Sequence, residues 1–175
     1  MKEKYPEQEH FISFLSFNGL GIADHLFNAP VNELGEINGA NYMPAASTPL
    51  YDAIGTGVSR LEKILDGTSN YNVLVTIFTA GEENSSREYT GETIKKKIEE
   101  LKLRRWTFTY TGTDHDVYKS ANSLSINNVV SFTKNEKEMT NMFKAEKEAR
   151  IQYSENIRKK KDTGENFYTE ELEKK

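Results

Sequence analysis

Cysteine is absent from this chain of 175 residues. That excludes a disulfide framework, thiolate chemistry and any zinc site built on sulfur, and it favours a reducing compartment. No apolar run approaches the ~20 residues of a membrane span. The opening stretch MKEKYPEQEH is too polar for a secretory leader. The expectation is a soluble, cytoplasmic chain with no membrane partner. A positive excess is also missing. The net charge is -4, whereas phosphate binding wants a clustered positive field, so nucleic acid is not an expected partner. Ser85 and Ser86 lack the Gly-x-Ser-x-Gly elbow and any nearby base, which argues against nucleophilic catalysis. There is no internal repeat and no low-complexity tract. The length suits one domain with a substantial core.

What is present is organised around Tyr71 to Ser86, YNVLVTIFTAGEENSS. It opens as an apolar, β-branched run (Val73, Leu74, Val75, Ile77, Phe78), the composition of a strand buried on both faces. It breaks at Ala80-Gly81 into an acidic, Asn- and Ser-rich loop, and a helical stretch follows from Thr90. In open parallel sheets ligands bind where the carboxyl ends of strands open into such loops, so a working face would include Ala80 to Ser86.

In chain order, FISFLSF (Phe11 to Phe17) predicts a strand, and Asn18-Gly19 is a strong two-residue hairpin signal. Leu20 to Phe27 then returns antiparallel, and Asn28 to Met43 reads as an irregular loop. Thr48 is placed to cap a helix whose first position is Pro49. Leu50, Ile54, Val58, Leu61 and Ile64/Leu65 form its apolar stripe, with Gly67 near its end. A second helix is expected from about Thr90 to Leu103, with Ile94, Ile98 and Leu101 inward. Trp106 to Tyr110 reads as a strand, and Asp114 as the cap of a short helix carrying Val117, Ala121 and Leu124. Val129 to Phe132 is a short strand, Glu136 to about Lys160 a long helix, and the remainder a flexible tail over 161–175. Strands alternating with helices imply a mostly parallel sheet covered on both faces.

The segments STPLYDAIGTGVSRLEKIL, YNVLVTIFTAGEENSSREYT and WTFTYTGTDHDV, in that order, resemble the von Willebrand factor A (VWA) domain family in its bacterial cytoplasmic type. The resemblance spans roughly Phe11 to Phe143. It implies an α/β fold, a doubly wound mostly parallel sheet with helices on both faces and one antiparallel edge strand, occupying residues 1–160. It also implies binding of another protein, usually through a divalent ion. That ion is held by an Asp-x-Ser-x-Ser loop, a Thr before a helix and an Asp after a central strand, because Mg²⁺ prefers near-octahedral oxygen ligands.

Carried onto this chain, the resemblance leaves one ligand of that set. Thr48 occupies the Thr position, Ala80 occupies the Asp position, and the Asp-x-Ser-x-Ser loop has no counterpart. The chain is expected to begin near the end of the family's first helix and so to lack the first strand. The strands matching Phe11 to Phe17 and Tyr71 to Thr79 would then pair directly, or another chain would fill the gap. An exposed apolar edge there leaves room for a homodimer.

The expectation is therefore a protein-binding or assembly module, not an enzyme, with no cofactor and Thr48 as a vestigial metal ligand. Its contact face is the rim of Ser47, Thr48, Gly81, Glu82, Glu83 and Asn84. The alternative is a Mg²⁺- or Mn²⁺-dependent domain whose site is completed by a partner chain or in an unmodified form of the sequence. Asp52 is expected to complement a helix dipole. Asp114-His115-Asp116 sits where a helix starts, and His10 and His25 lie in or beside strands.

Overall fold

Large apolar residues interleaved with serines make Phe11–Asn18 a strand, β1, which pairs antiparallel with β2, Gly21–Pro30, in a computed structural model that describes residues 8–35, 47–164 and 166–168. Asn18 pairs with Gly21, so Gly19 and Leu20 form the turn, one position later than the Asn-Gly signal predicts. The Asn18 side chain accepts from the Leu20 N–H at 2.8 Å, and Gly21 takes φ +127°, so glycine's freedom is used at the exit of the turn. β2 continues past Phe27, where a loop is predicted. Asn28 adopts φ +48° and its N–H donates to Ser13 Oγ at 3.0 Å, which keeps the strand attached through the irregularity. A turn of 3-10 helix, Val31–Glu33, follows. The predicted loop from 36 to 43 lies outside the described residues.

Helix α1, Leu50–Ile64, buries Leu50, Ala53, Ile54 and Val58 and packs on the hairpin. Arg60 reaches from it to Asp24, and its guanidinium lies 3.9 Å over the Phe27 ring. These elements, together with Glu83–Thr90, make one of two compact units.

The second unit holds β3 (Val73–Thr79), α2 (Gly91–Lys102), β4 (Trp106–Gly112), α3 (Val117–Ser123), β5 (Asn128–Ser131) and α4 (Glu136–Arg158). β3, β4 and β5 form a parallel sheet in sequence order, in continuous register from Val73↔Trp106 to Thr79↔Gly112. β4 is buried along its whole length, and its alternation is chemical: Trp106, Phe108 and Tyr110 on one face, Thr107, Thr109 and Thr111 on the other. α2 and α3 pack on β4, with Ile94, Ile98, Leu101, Val117 and Ala121 buried. α4 covers the threonine face, where Arg150 Nη2 donates to Thr76 Oγ1 at 2.9 Å and the Tyr153 hydroxyl to the Val73 carbonyl at 3.3 Å.

The protein is thus α/β, with a parallel sheet and helices on it as expected. The single sheet that was expected is instead two ladders, and among the described residues none joins β1 to β3. Each strand pairs with its neighbour in sequence, through a hairpin or a helical crossover. The flexible tail is corrected in part. Phe167 and Tyr168 are 5% and 3% exposed, in a cluster with Val130, Met142, Ala149 and Tyr153. The Thr163 carbonyl accepts from Thr107 Oγ1 at 2.8 Å, and Asn128 Oδ1 accepts from the Phe167 N–H at 3.0 Å. The polar run before these aromatics hides the signal, because their docking surface is built from distant strands. Among the described residues no helix is long and apolar enough to cross a membrane.

Candidate functional site

An α-helix begins with N–H groups that have no partner inside it. At the start of α1 the residue in the capping position is Pro49, which makes no side-chain cap, and not Thr48 as predicted. The donors are satisfied from thirty-odd residues away in sequence. The Tyr51 N–H donates to Glu83 Oε2 at 2.9 Å, and the Asp52 N–H to Ser86 Oγ at 3.1 Å. Thr48 and Asn84 pair reciprocally: Thr48 N–H to Asn84 Oδ1 at 2.9 Å, Asn84 N–H to the Thr48 carbonyl at 3.2 Å.

Two carboxylates then shape the loop. Glu83 Oε1 accepts from the Ser85 and Ser86 N–H groups, both at 2.8 Å, and Oε2 also accepts the Ser86 hydroxyl at 2.7 Å. Asp52 receives the other end: Oδ2 accepts from Arg87 N–H at 2.8 Å, and Oδ1 from the Glu88 and Tyr89 N–H groups, both at 2.9 Å. Burial alone would raise both acids. For Glu83 the Ser86 hydroxyl and the N–H groups of Ser86, Tyr51 and Ser85 outweigh it, and for Asp52 the N–H groups of Arg87, Tyr89 and Glu88 do so, aided by the Arg87 charge. Both carboxyls are held below their ordinary values.

Of the predicted rim, Ser47, Thr48, Glu83 and Asn84 come together in this unit. Ser47 is half-buried beside Gly19, where a Cβ would lie 2.8 Å from Ser47 Oγ. Gly81 and Glu82 belong to the other unit, at the end of β3. There Thr79 Oγ1 donates to the Gly81 carbonyl at 2.8 Å, and Glu82 is exposed. The adjacent acids Glu82 and Glu83 therefore have different fates, one solvated and one capping a helix. Asp52 is more than the dipole partner expected, since it organises three backbone N–H groups. Nothing in the local sequence around Asp52 signals a loop that follows by 35 positions.

The donors that a hard divalent ion would need are committed elsewhere. Ala80 offers a methyl group, Asn84 Oδ1 holds Thr48, and both oxygens of Glu83 and of Asp52 hold the loop. As they stand, these residues do not fit such an ion. Among the described residues no group of three or more His, Cys, Asp or Glu side chains is placed to hold a metal.

The other candidates serve separate local tasks. Asp116, not Asp114, caps α3 by accepting from the Lys119 N–H at 3.0 Å. Asp114 turns back at φ +64° and pairs with Lys134. Between them His115 Nδ1 donates to the Thr113 carbonyl at 2.8 Å, leaving Nε2 3.1 Å from the Tyr110 hydroxyl. His25 stacks on Phe14 at 4.7 Å, with Nε2 2.7 Å from Ser16 Oγ. Around these positions the polar atoms are used in pairs and do not converge on a common point.

No protein-family model matches this chain, and no curated protein matches it either.

Proposed function

We propose that this protein is a VWA-type binding or assembly module of the cytoplasm that engages another protein without a working metal site. The observation that supports the reading is the double anchoring of loop 83–89 by Glu83 and Asp52. A loop held at both ends by half-buried acceptors loses little entropy on binding, which favours recognition. It leaves Asn84, Arg87 and Glu88 exposed on its outer side. With Ser47 and Thr48 of the same unit these make the proposed contact face, from which Gly81 and Glu82 of the other unit are left out. The module performs no catalysis in this reading, and no cofactor takes part.

Thermal melts in EDTA and in millimolar Mg²⁺ or Mn²⁺ test the metal-free part. An ion at a hundred times its dissociation constant stabilises a fold by about 2.7 kcal/mol, a clear rise in midpoint. The expected result is no shift, for the native chain and for Ala80→Asp alike. A rise in the native chain overturns the reading in favour of a metal-dependent domain. Affinity purification of the native chain beside an Asn84→Arg/Glu88→Arg variant tests the rim. A partner retained by the native chain and lost by an equally stable variant supports it, whereas equal recovery by both removes the rim from the proposal.

A further inference from the structure

Among the described residues both strands of the β1–β2 sheet are edges, and their sequences treat that exposure differently. β2 carries the devices that discourage further pairing. Asp24 is exposed along it, Pro30 ends it, and His25 is an extra residue, since Leu15 pairs with Asp24 while Phe14 pairs with Leu26. β1 carries none of them. From Phe11 to Phe17 it has no charge, no proline and no glycine. No residue of the hairpin is fully buried, and Phe11 is 55% exposed. A two-stranded sheet is marginal on its own, and an apolar, uncharged edge adds a template for one more strand.

The sequence of that edge also indicates which strand fits. Phe11, Phe14 and Phe17 are evenly spaced, with Ile12-Ser13 before Phe14 and Leu15-Ser16 after it. Read backwards, the phenylalanines fall on phenylalanines. We infer that β1 is a homodimerisation edge, pairing antiparallel with β1 of a second copy about a two-fold axis at Phe14. In that register Phe14 faces its own equivalent, and Phe11 faces Phe17 of the other copy in both directions, as an isologous contact requires. Ile12 meets Ser16 and Ser13 meets Leu15. No like charges confront one another, and aromatic cross-strand pairs are among the favourable ones. The product is a continuous four-stranded sheet with the protected β2 strands outermost. This contact is separate from the loop 83–89 face and stands without it.

The absence of native cysteine makes the test clean. A single thiol at Phe14→Cys would lie on the axis, where directly opposed antiparallel residues are ~4.5–5.5 Å apart at Cα, within disulfide reach. Mild oxidation of the full chain should give a covalent dimer with Phe14→Cys and monomer with Ala23→Cys on the protected strand. Sedimentation of the unmodified chain across concentration should show twice the chain mass. Phe11→Lys, at a largely solvated position, should halve that mass while the far-ultraviolet circular dichroism is unchanged. A native chain that stays monomeric, a dimer that survives Phe11→Lys, or equal cross-linking at positions 14 and 23 overturns the inference.

Discussion

The Tyr168 hydroxyl donates to Glu146 Oε2 across 2.7 Å, tying the end of the described chain to a carboxylate buried in α4. Glu146 Oε1 accepts from Arg150 Nε at 2.8 Å, and Arg150 continues to Thr76 on β3. Thr111 Oγ1 lies 3.2 Å from the same tyrosine oxygen, so the contact links two strands, α4 and the returning segment. A network of this kind stabilises only while complete, because each lost partner leaves a polar atom buried and unsatisfied.

Tyr168→Phe keeps the ring and removes the hydroxyl, stranding one oxygen of Glu146. The expected loss is about 1–3 kcal/mol, read from the urea midpoint at constant slope. Phe167→Ala deletes a ring packed against Tyr153 at 5.8 Å and should cost about 3–5 kcal/mol. If either variant melts like the native chain, the returning segment is not part of the cooperative fold.

Alkaline pH should act through the same tyrosine. Burial, then the neighbouring Glu146 charge, pushes the Tyr168 hydroxyl well above its ordinary value of 10.0. The folded state therefore favours the protonated form. The resulting stability is complete below that ordinary value and is lost as pH rises above it. Buried Tyr153 is raised as well, chiefly by burial, and contributes in the same direction. Urea midpoints between pH 9 and 11 should fall with pH, more shallowly in Tyr168→Phe. Parallel slopes would assign the alkaline loss to other groups.

Acid should release the loop of the first unit. Asp52 and Glu83 are held below their ordinary values of 3.8 and 4.5, so their contribution is present above those values and is lost as pH falls through the folded ones. Hydrogen exchange of the Arg87, Glu88 and Tyr89 amides should accelerate as pH falls below about 4, relative to intrinsic rates. Asp52→Asn should reproduce the release at neutral pH, because an amide presents one acceptor and turns an NH₂ group toward a donor. Its cost to stability should be about 1–3 kcal/mol. Unchanged protection of those three amides in Asp52→Asn would show that the loop is held by other contacts.

The parts of this fold that were legible share a cause. Periodicity is local, so α1, α2 and α4 and the strands of the parallel sheet emerge from spacing alone. The capping of α1 was not legible, because Thr48-Pro49 carries an adequate local signal while the donors are met by Glu83 and Ser86. Asp114 misled in the same way: Asp116 lies two residues on and has the geometry to cap. Of the rim expected from Ser47, Thr48, Gly81, Glu82, Glu83 and Asn84, four residues share a unit and Gly81 and Glu82 fall in the other, and loop 83–89 is organised by Asp52, identified only by what folds onto it. Phe167 and Tyr168 were missed because their docking groove exists only once β4, β5 and α4 are assembled.

Two glycines on α1 give the sharpest test of how loop and helix fit. A Cβ at Gly55 would lie 2.6 Å from three atoms of the Tyr89 ring, whereas one at Gly57 would meet Leu15 no closer than 3.7 Å. Both are helical positions, where alanine is intrinsically better by about 1 kcal/mol. Gly57→Ala should therefore stabilise by up to about 1 kcal/mol. Gly55→Ala must move the ring that follows the Asp52-anchored amides, and overpacking of about 1–3 kcal/mol should more than offset the helical gain. If the clash is the cause, shortening the ring should relieve it. In a double-mutant cycle Gly55→Ala should be neutral or stabilising in a Tyr89→Ala background, giving a coupling of about 1–3 kcal/mol between the two positions. A coupling near zero would mean that Tyr89 does not rest on Gly55 in solution, and the ring would no longer count among the contacts that hold the loop to α1.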